Sequence, residues 1–300
     1  LVPPAAHDFV REVVNTWPLR PEIFEKYLLD KYADGHFVCD SIRHGMPITD
    51  GQTAIPPFRV PNSAQATTGR YRDQVAATVR EDVRKRWLNP APTAWRSRWV
   101  HPITAAPKNR EHPEKARVCQ DQSRPIGKSI NDHQKFAHAR WIHTDAISRA
   151  MTRDCYMMKL DVQFYYRNFG VYPPDWLYTA CEWDGVQYLD TRVSFGLRNA
   201  PDMAQRITAA VTWILHSQGH TGVIGLMDDF ACFADTPEEC LRQFRALEDL
   251  LLELGFQPHP EGAEESKRSA EPRQWIVLSG ILWDSRSLSM SMDEGKVAKA

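Results

Sequence analysis

In the stretch GVIGLMDDFACFAD (222–235), Asp228 and Asp229 stand side by side between two apolar runs. Burying one carboxylate is costly, and a second in contact raises the pKa of the first. Aspartate suits turns, so a two-residue turn made of both aspartates is the plainest reading. Asp-Gly or Asn-Gly would make a better tight hairpin turn, so turn chemistry alone does not choose this pair. A third aspartate, Asp161, ends another apolar strand, YMMKLDV (156–162). Alone it would be an ordinary strand-end residue at the surface. If the two strands lie side by side, all three carboxylates meet at one edge of a sheet. They can stay ionised together only beside cations. Mg²⁺ takes hard oxygen ligands and shares its coordination shell with substrate phosphates. Two such ions roughly 3.5–4 Å apart clamp the attacking and leaving oxygens of an in-line phosphoryl displacement. The chemistry expected of Asp161, Asp228 and Asp229 is therefore two-metal nucleotidyl transfer, with Mn²⁺ as a substitute for Mg²⁺.

The elements that must position these residues are legible around them. APDMAQRITAAVTWILHSQG (200–219) reads as a helix closed by Gly219. TPEECLRQFRALEDLLLELG (236–255) reads as another, with Thr236 as N-cap, Pro237 in the first turn, Glu239 completing a capping box and Gly255 at the end. YTACEWDGVQYLDTRV (178–193) is a hairpin whose Asp184-Gly185 turn supplies positive φ angles. QWIVLSGILWDSRSLSMS (274–291) is a final hairpin. The order is strand, hairpin, helix, strand–Asp-Asp–strand, helix, hairpin: an α+β arrangement with an antiparallel sheet backed by helices. Upstream, residues 1–30 are helical in pattern, 46–63 are Pro-rich and read as a linker, and 70–89 form a basic amphipathic helix stopped before Pro90.

Composition sets the limits. The chain has 300 residues, 42% apolar and 25% charged, with a net charge of −1. That suits one large globular domain or two smaller ones. Neutrality argues weakly against nucleic-acid binding, but the distribution argues for it. Residues 70–128 carry 14 Lys/Arg against 6 Asp/Glu, while 201–300 carry 9 against 16. One region can hold a polyanion while another gathers carboxylates. No stretch approaches the roughly 18 apolar residues that a membrane helix needs. The six cysteines are scattered with no CxxC pair, which suggests reduced thiols and an intracellular protein, of cytoplasm or nucleus. The chain starts at Leu1 and stops at Ala300 inside a helical pattern, which suggests a fragment.

Taken together, the motifs resemble those of retroelement reverse transcriptases. KLDVQFYYRNFGV (159–171) resembles the first palm motif, and VSFGLRNAPDMAQ (193–205) the LPFGLxxAP segment. GLMDDFACFA (225–234) resembles YxDD, and LGFQPHPE (254–261) with IVLSGILWD (276–284) the two that follow, the second being the primer-grip hairpin. HPITAAPKN and KARVCQDQSRPIGKSIND, within 101–132, resemble the fingers segment. RPIGKSIND, YYRNFGV and the spacing of WILHSQGHTGVIGLMDD are similar to the tyrosine-recombinase retrotransposons, the DIRS group. So is the stretch 18–46 that precedes them.

The resemblance implies a right-hand polymerase of fingers and palm. Residues 1–60 would be an N-terminal helical segment and linker, 61–155 with 172–198 the fingers, 156–291 the palm with its primer grip, and 292–300 the start of a truncated thumb. Asp161, Asp228 and Asp229 would hold the catalytic Mg²⁺ ions. Tyr166 would be an aromatic gate against a 2′-OH. Phe195 and Gly196 would floor the incoming-nucleotide pocket. Arg117 would reach the triphosphate, Lys108 the template or triphosphate, and Trp283 would support the primer end. The implied partners are an RNA template, a DNA primer or hybrid duplex, and dNTPs, with no membrane.

The chain also departs from the pattern. Leu226 replaces the tyrosine of YxDD, and Ser194 replaces the proline before Phe195-Gly196. Gly262 stands where a lysine is expected, with Lys267 and Arg268 only later. Two alternatives follow. One is a decayed or domesticated palm that binds nucleic acid with weak catalysis. The other is a viral-type RNA-dependent RNA polymerase, disfavoured by an aromatic at Tyr166.

Overall fold

The computed structural model describes residues 1–51, 53–108, 112–134 and 144–292. The expected thumb start therefore lies, beyond Met292, outside the described residues. In chain order the elements are α1 (His7–Val14), α2 (Pro21–Leu28), α3 (Gly35–His44), β1 (Phe58–Arg59), α4 (Ala64–Thr67), α5 (Arg72–Arg84), β2 (Leu88–Pro90), β3 (Trp99–His101), β4 (Ile103–Pro107) and β5 (Ala116–Gln120). Then come α6 (Ile130–His133), α7 (Thr144–Ala150), β6 (Tyr156–Asp161), β7 (Ala180–Trp183), β8 (Val186–Asp190) and α8 (Ala200–Ser217). Last are β9 (Val223–Leu226), β10 (Asp229–Ala234), α9 (Pro237–Leu254), β11 (Trp275–Leu278), β12 (Ile281–Asp284) and β13 (Ser289–Met292). The fold is α+β. It divides into two compact units: Leu1–Trp17, Asp40–Ala137 and Tyr166–Pro201 in the first, and Pro18–Cys39, His138–Tyr165 and Asp202–Ala300 in the second. No helix among the described residues is long and apolar enough to cross a membrane.

The first unit is built on a five-stranded mixed sheet in the order β1-β3-β7-β8-β2, with β4 and β5 pairing separately. The β7–β8 hairpin turns at Asp184 (φ 46°) and Gly185 (φ 78°), as its sequence requires. Helix α5 buries Val75, Ala76 and Val79 against Leu88, Ile103, Cys181 and Trp183. It is shorter than its amphipathic pattern: Arg86 takes φ 59°, and Leu88 pairs with Asp190 in the sheet. The Pro-rich stretch 46–63 is not a free linker. Met46, Ile48 and Ile55 are buried, and Phe58–Arg59 pairs in parallel with β3.

The second unit holds three antiparallel strands in the order β6-β10-β9, and β11, β12 and β13 form a sheet of their own. The single antiparallel sheet expected from the sequence is thus several sheets, and the β7–β8 hairpin belongs to the other unit. Helix α9 begins on Thr236, whose hydroxyl accepts from Glu239 N–H, and ends at Gly255 with φ 97°. There is no capping box: the Glu239 carboxylate is taken by Arg242. One face of the central sheet carries Met157, Ala231 and Phe233, packed on Ile276, Leu278 and Trp283 of the β11–β12 hairpin. Each large side chain buried there stabilises by about 1.5–3 kcal/mol. Because side chains alternate along a strand, that same face continues through Lys159 to Asp161 and Asp229. It is apolar at one end and charged at the other.

Candidate active site

The register of β6 and β10 brings the carboxylates together. Asp229 pairs directly with Asp161. The Val162 N–H donates to the Asp228 carbonyl at 3.0 Å, so the pairing runs one step past the end of both strands. The turn differs from the one expected. Asp229 opens β10 and pairs with Leu226, so the two turn residues are Met227 and Asp228. Met227 takes φ 50°, which a side chain this size rarely adopts. Helix α8 holds it there: Gln205 Oε1 accepts from Met227 N–H at 2.9 Å, and the Thr208 hydroxyl donates to the Met227 carbonyl at 2.8 Å. The helix comes this close because β9 carries Gly225. A Cβ there would lie 2.5 Å from Thr208 Cγ2.

Asp161 is fixed by a segment that returns along the free edge of β6 after α9. The Asp161 N–H donates to the Lys267 carbonyl at 2.8 Å, and the Asp161 carbonyl accepts from His259 N–H at 3.0 Å. Ser269 N–H donates to the Lys159 carbonyl at 2.9 Å, one step further. This pairing delivers an ammonium and an imidazole to the carboxylate. Lys267 Nζ is 2.7 Å from Asp161 Oδ2, and His259 Nε2 is 3.3 Å from Oδ1. Lys159, on the same face as Asp161, places Nζ 3.0 Å from Asp229 Oδ1. Arg268 goes elsewhere: it pairs with Glu248 and stacks over Phe244.

Among the described residues no lysine or arginine pairs with Asp228. Burial, then the charges of Asp229 and Asp161, push it up to about 6. Burial pulls the Lys267 ammonium down. The hydrogen bond and charge of Asp161, with Asp229 and Asp228 behind it, outweigh that and hold it above its ordinary value. Hard carboxylate oxygens are the donors that Mg²⁺ prefers, and the repulsion on Asp228 is what a divalent cation would relieve. The donor chemistry therefore fits a magnesium site. Lys159 and Lys267 are the present counter-ions, however. Among the described residues no three His, Cys, Asp or Glu groups converge at ligating distance.

The other residues named from the sequence lie as follows. Tyr166 follows Tyr165 in a 3₁₀ turn, and its ring meets Phe195 edge to face at 4.9 Å. Phe195 is 74% exposed. Gly196 is needed for packing: a Cβ there would lie 2.2 Å from the Gln120 carbonyl oxygen. Ser194, in the proline's place, is buried and accepts from Gln122 Nε2 at 3.0 Å. Arg117 lies exposed on β5, and Lys108 lies exposed just after β4. Trp283 does not face solvent. It is 1% exposed within the core behind the β11–β12 hairpin, so the ring itself cannot touch a primer. The exposed large apolar side chains of that sheet are Met290 and Met292 on β13.

Sequence reasoning missed Lys159, His259, Gln205 and Thr208. Lys159 had a signal: a lysine inside an apolar strand, two residues from Asp161, must share its face. Gln205, Thr208 and Thr212 put polar groups on the buried stripe of α8, a second signal. His259 had none, because its approach depends on how the chain returns after α9.

No protein-family profile and no curated protein matches the sequence. Solved structures match the fold. The foamy viral protease–reverse transcriptase dRH in complex with double-stranded DNA is similar with a TM-score of 0.64 and 21% identity, over 99% of this chain and 49% of that one. The native prototype foamy virus protease–reverse transcriptase gives 0.64 and 17%, over 98% and 37%. The foamy viral protease–reverse transcriptase in complex with an RNA/DNA hybrid gives 0.63 and 17%, over 98% and 37%. The chain spans half or less of these relatives. At such identities the likeness is one of fold: the chain has a reverse-transcriptase-like fold.

Proposed function

We propose that this chain is an RNA-directed DNA polymerase of a retrotransposon, of the tyrosine-recombinase (DIRS) type. The observation that carries the reading is the pairing of Asp161 with Asp229, with Asp228 in the adjoining turn, on a reverse-transcriptase-like fold. Asp161, Asp228 and Asp229 would hold two Mg²⁺ ions. When bound, these would neutralise the carboxylates and polarise the phosphate oxygens of the reaction. The reaction is attack of a primer 3′-OH on the α-phosphate of a dNTP, with pyrophosphate leaving.

The protein's own groups orient the parts. Gln205 and Thr208 hold the turn that carries Asp228, and Lys159 sets the position of Asp229. Tyr166 and Phe195 present a joined aromatic surface, assigned to the sugar of the incoming nucleotide. Arg117 and Lys108 supply exposed cations for triphosphate or template. Template and primer would be gripped through backbone and shape, so binding would weaken steeply with salt and ignore sequence.

A weakly catalytic, nucleic-acid-binding palm is the second reading, favoured by Leu226, by Ser194 and by Asp161 being engaged by Lys267. Primer extension on poly(rA)/oligo(dT) with Mg²⁺ and dTTP separates them. Extension by wild type and not by Asp228→Asn is expected. Folded protein that binds the duplex and extends nothing supports the second reading.

A further inference from the structure

The two lysines at the carboxylates differ in one respect that bears on metal loading. The Lys159 side chain is 9% exposed and is fixed within the sheet against Asp229. The Lys267 side chain is 43% exposed, while the Asp161 carboxylate that it contacts is 7% exposed. Lys267 therefore reaches the buried carboxylate from the solvent side and can withdraw into water without disturbing the packing. Its backbone stays anchored: its carbonyl accepts from Asp161 N–H, and its N–H donates to the Glu264 carbonyl at 2.7 Å. Only the four-carbon stem would have to move. A metal ion on Asp161 and the Lys267 ammonium would compete for one oxygen, Oδ2.

We propose that Lys267 is an exchangeable counter-ion of Asp161, seated on the carboxylate while metal is absent and displaced when a divalent cation binds. Lys159 is the permanent one, retained with Asp229 in both states. The inference rests on the magnesium reading of the site. It explains why a carboxylate cluster with the right donors has no three ligating groups converged among the described residues. It also makes metal affinity a property of a loop residue outside the strands, since the lysine lies in the returning segment after α9.

The test is Mn²⁺ binding, followed by electron paramagnetic resonance of the free ion, with no nucleotide present. Lys267→Met is expected to bind Mn²⁺ about fivefold more tightly than wild type, the equivalent of losing one half-exposed ion pair. Arg273→Met makes the same change of charge elsewhere in the unit. Its backbone pairs with Met157, four residues along the strand from Asp161, and its affinity should match wild type. Equal affinity in wild type and Lys267→Met overturns the inference, as does equal tightening in Arg273→Met. If wild type binds Mn²⁺ and Asp161→Asn and Asp228→Asn bind it equally well, the carboxylate reading itself fails. Wild type supplies a second readout that needs no variant: acetylation of Lys267 by limiting acetic anhydride, measured by mass spectrometry. Labelling should rise on adding Mg²⁺, and unchanged labelling contradicts displacement.

Discussion

Asp228 is the residue on which the chemical account turns. It is pressed by its own burial and by two neighbouring carboxylates, with only a weaker opposing pull from Lys267. Asp228→Asn removes that repulsion while keeping the shape. The variant should lose polymerase activity by about 10²-fold or more, since metal contributes several kcal/mol of transition-state stabilisation. Its thermal midpoint should stay level or rise. A marked fall in midpoint would mean that the carboxylate has a structural role. At this scale the sequence was most informative, because charge next to charge in an apolar run has few explanations. It misassigned the turn by one residue, reading Asp228-Asp229 where the chain turns at Met227-Asp228. The reason is that Met227 is a poor turn former. It takes its positive φ only because α8 bonds both of its backbone groups, and local propensity contains no trace of a helix that arrives from elsewhere.

Among the elements, α8 is the support of the turn. Gln205→Leu would leave the Met227 N–H without its partner and should cost about 1–3 kcal/mol of stability. Primer extension should slow as well, with the carboxylates themselves intact. Normal activity in a destabilised protein would separate the turn from the chemistry. The 3₁₀ turn after β6 supplies a second case. Tyr166→Ala removes the ring that meets Phe195 and should let ribonucleotides compete with dNTPs in single-nucleotide incorporation. Unchanged discrimination would remove the gate assignment. Helices and hairpins were legible here because their signals are local: Thr236, Pro237 and Gly255 bound α9, and Asp184-Gly185 sets the β7–β8 turn. Sheet partnership was not, because pairing between distant strands depends on tertiary packing. So the strands taken for one antiparallel sheet form several, and Trp283, expected to support the primer end, has its ring in a core.

At the scale of the whole molecule, the two units carry their charge differently. In the first, Arg167 is buried between Asp190, at 2.6 Å, and Asp82, at 3.7 Å, with Trp87 beneath its guanidinium. Burial pushes Asp82 up to about 6, against the pull of Arg167. The unfolded chain titrates this group near about 3.9, so folding favours its neutral form. Stability from this source is complete below about pH 4 and is lost as pH rises through about 6, by at most about 3 kcal/mol. Asp82→Asn keeps a neutral group there. Urea unfolding should show wild type losing stability relative to the variant across that window, and parallel curves would contradict the assignment.

On the proposed function, Asp161, Asp228 and Asp229 form one metal site. Crystals grown with Mn²⁺ and a template–primer duplex, measured at the manganese absorption edge, test this. Anomalous peaks are expected at these three carboxylates, with Lys267 withdrawn from Asp161. Manganese bound elsewhere, with Lys267 still seated on Asp161, would contradict it.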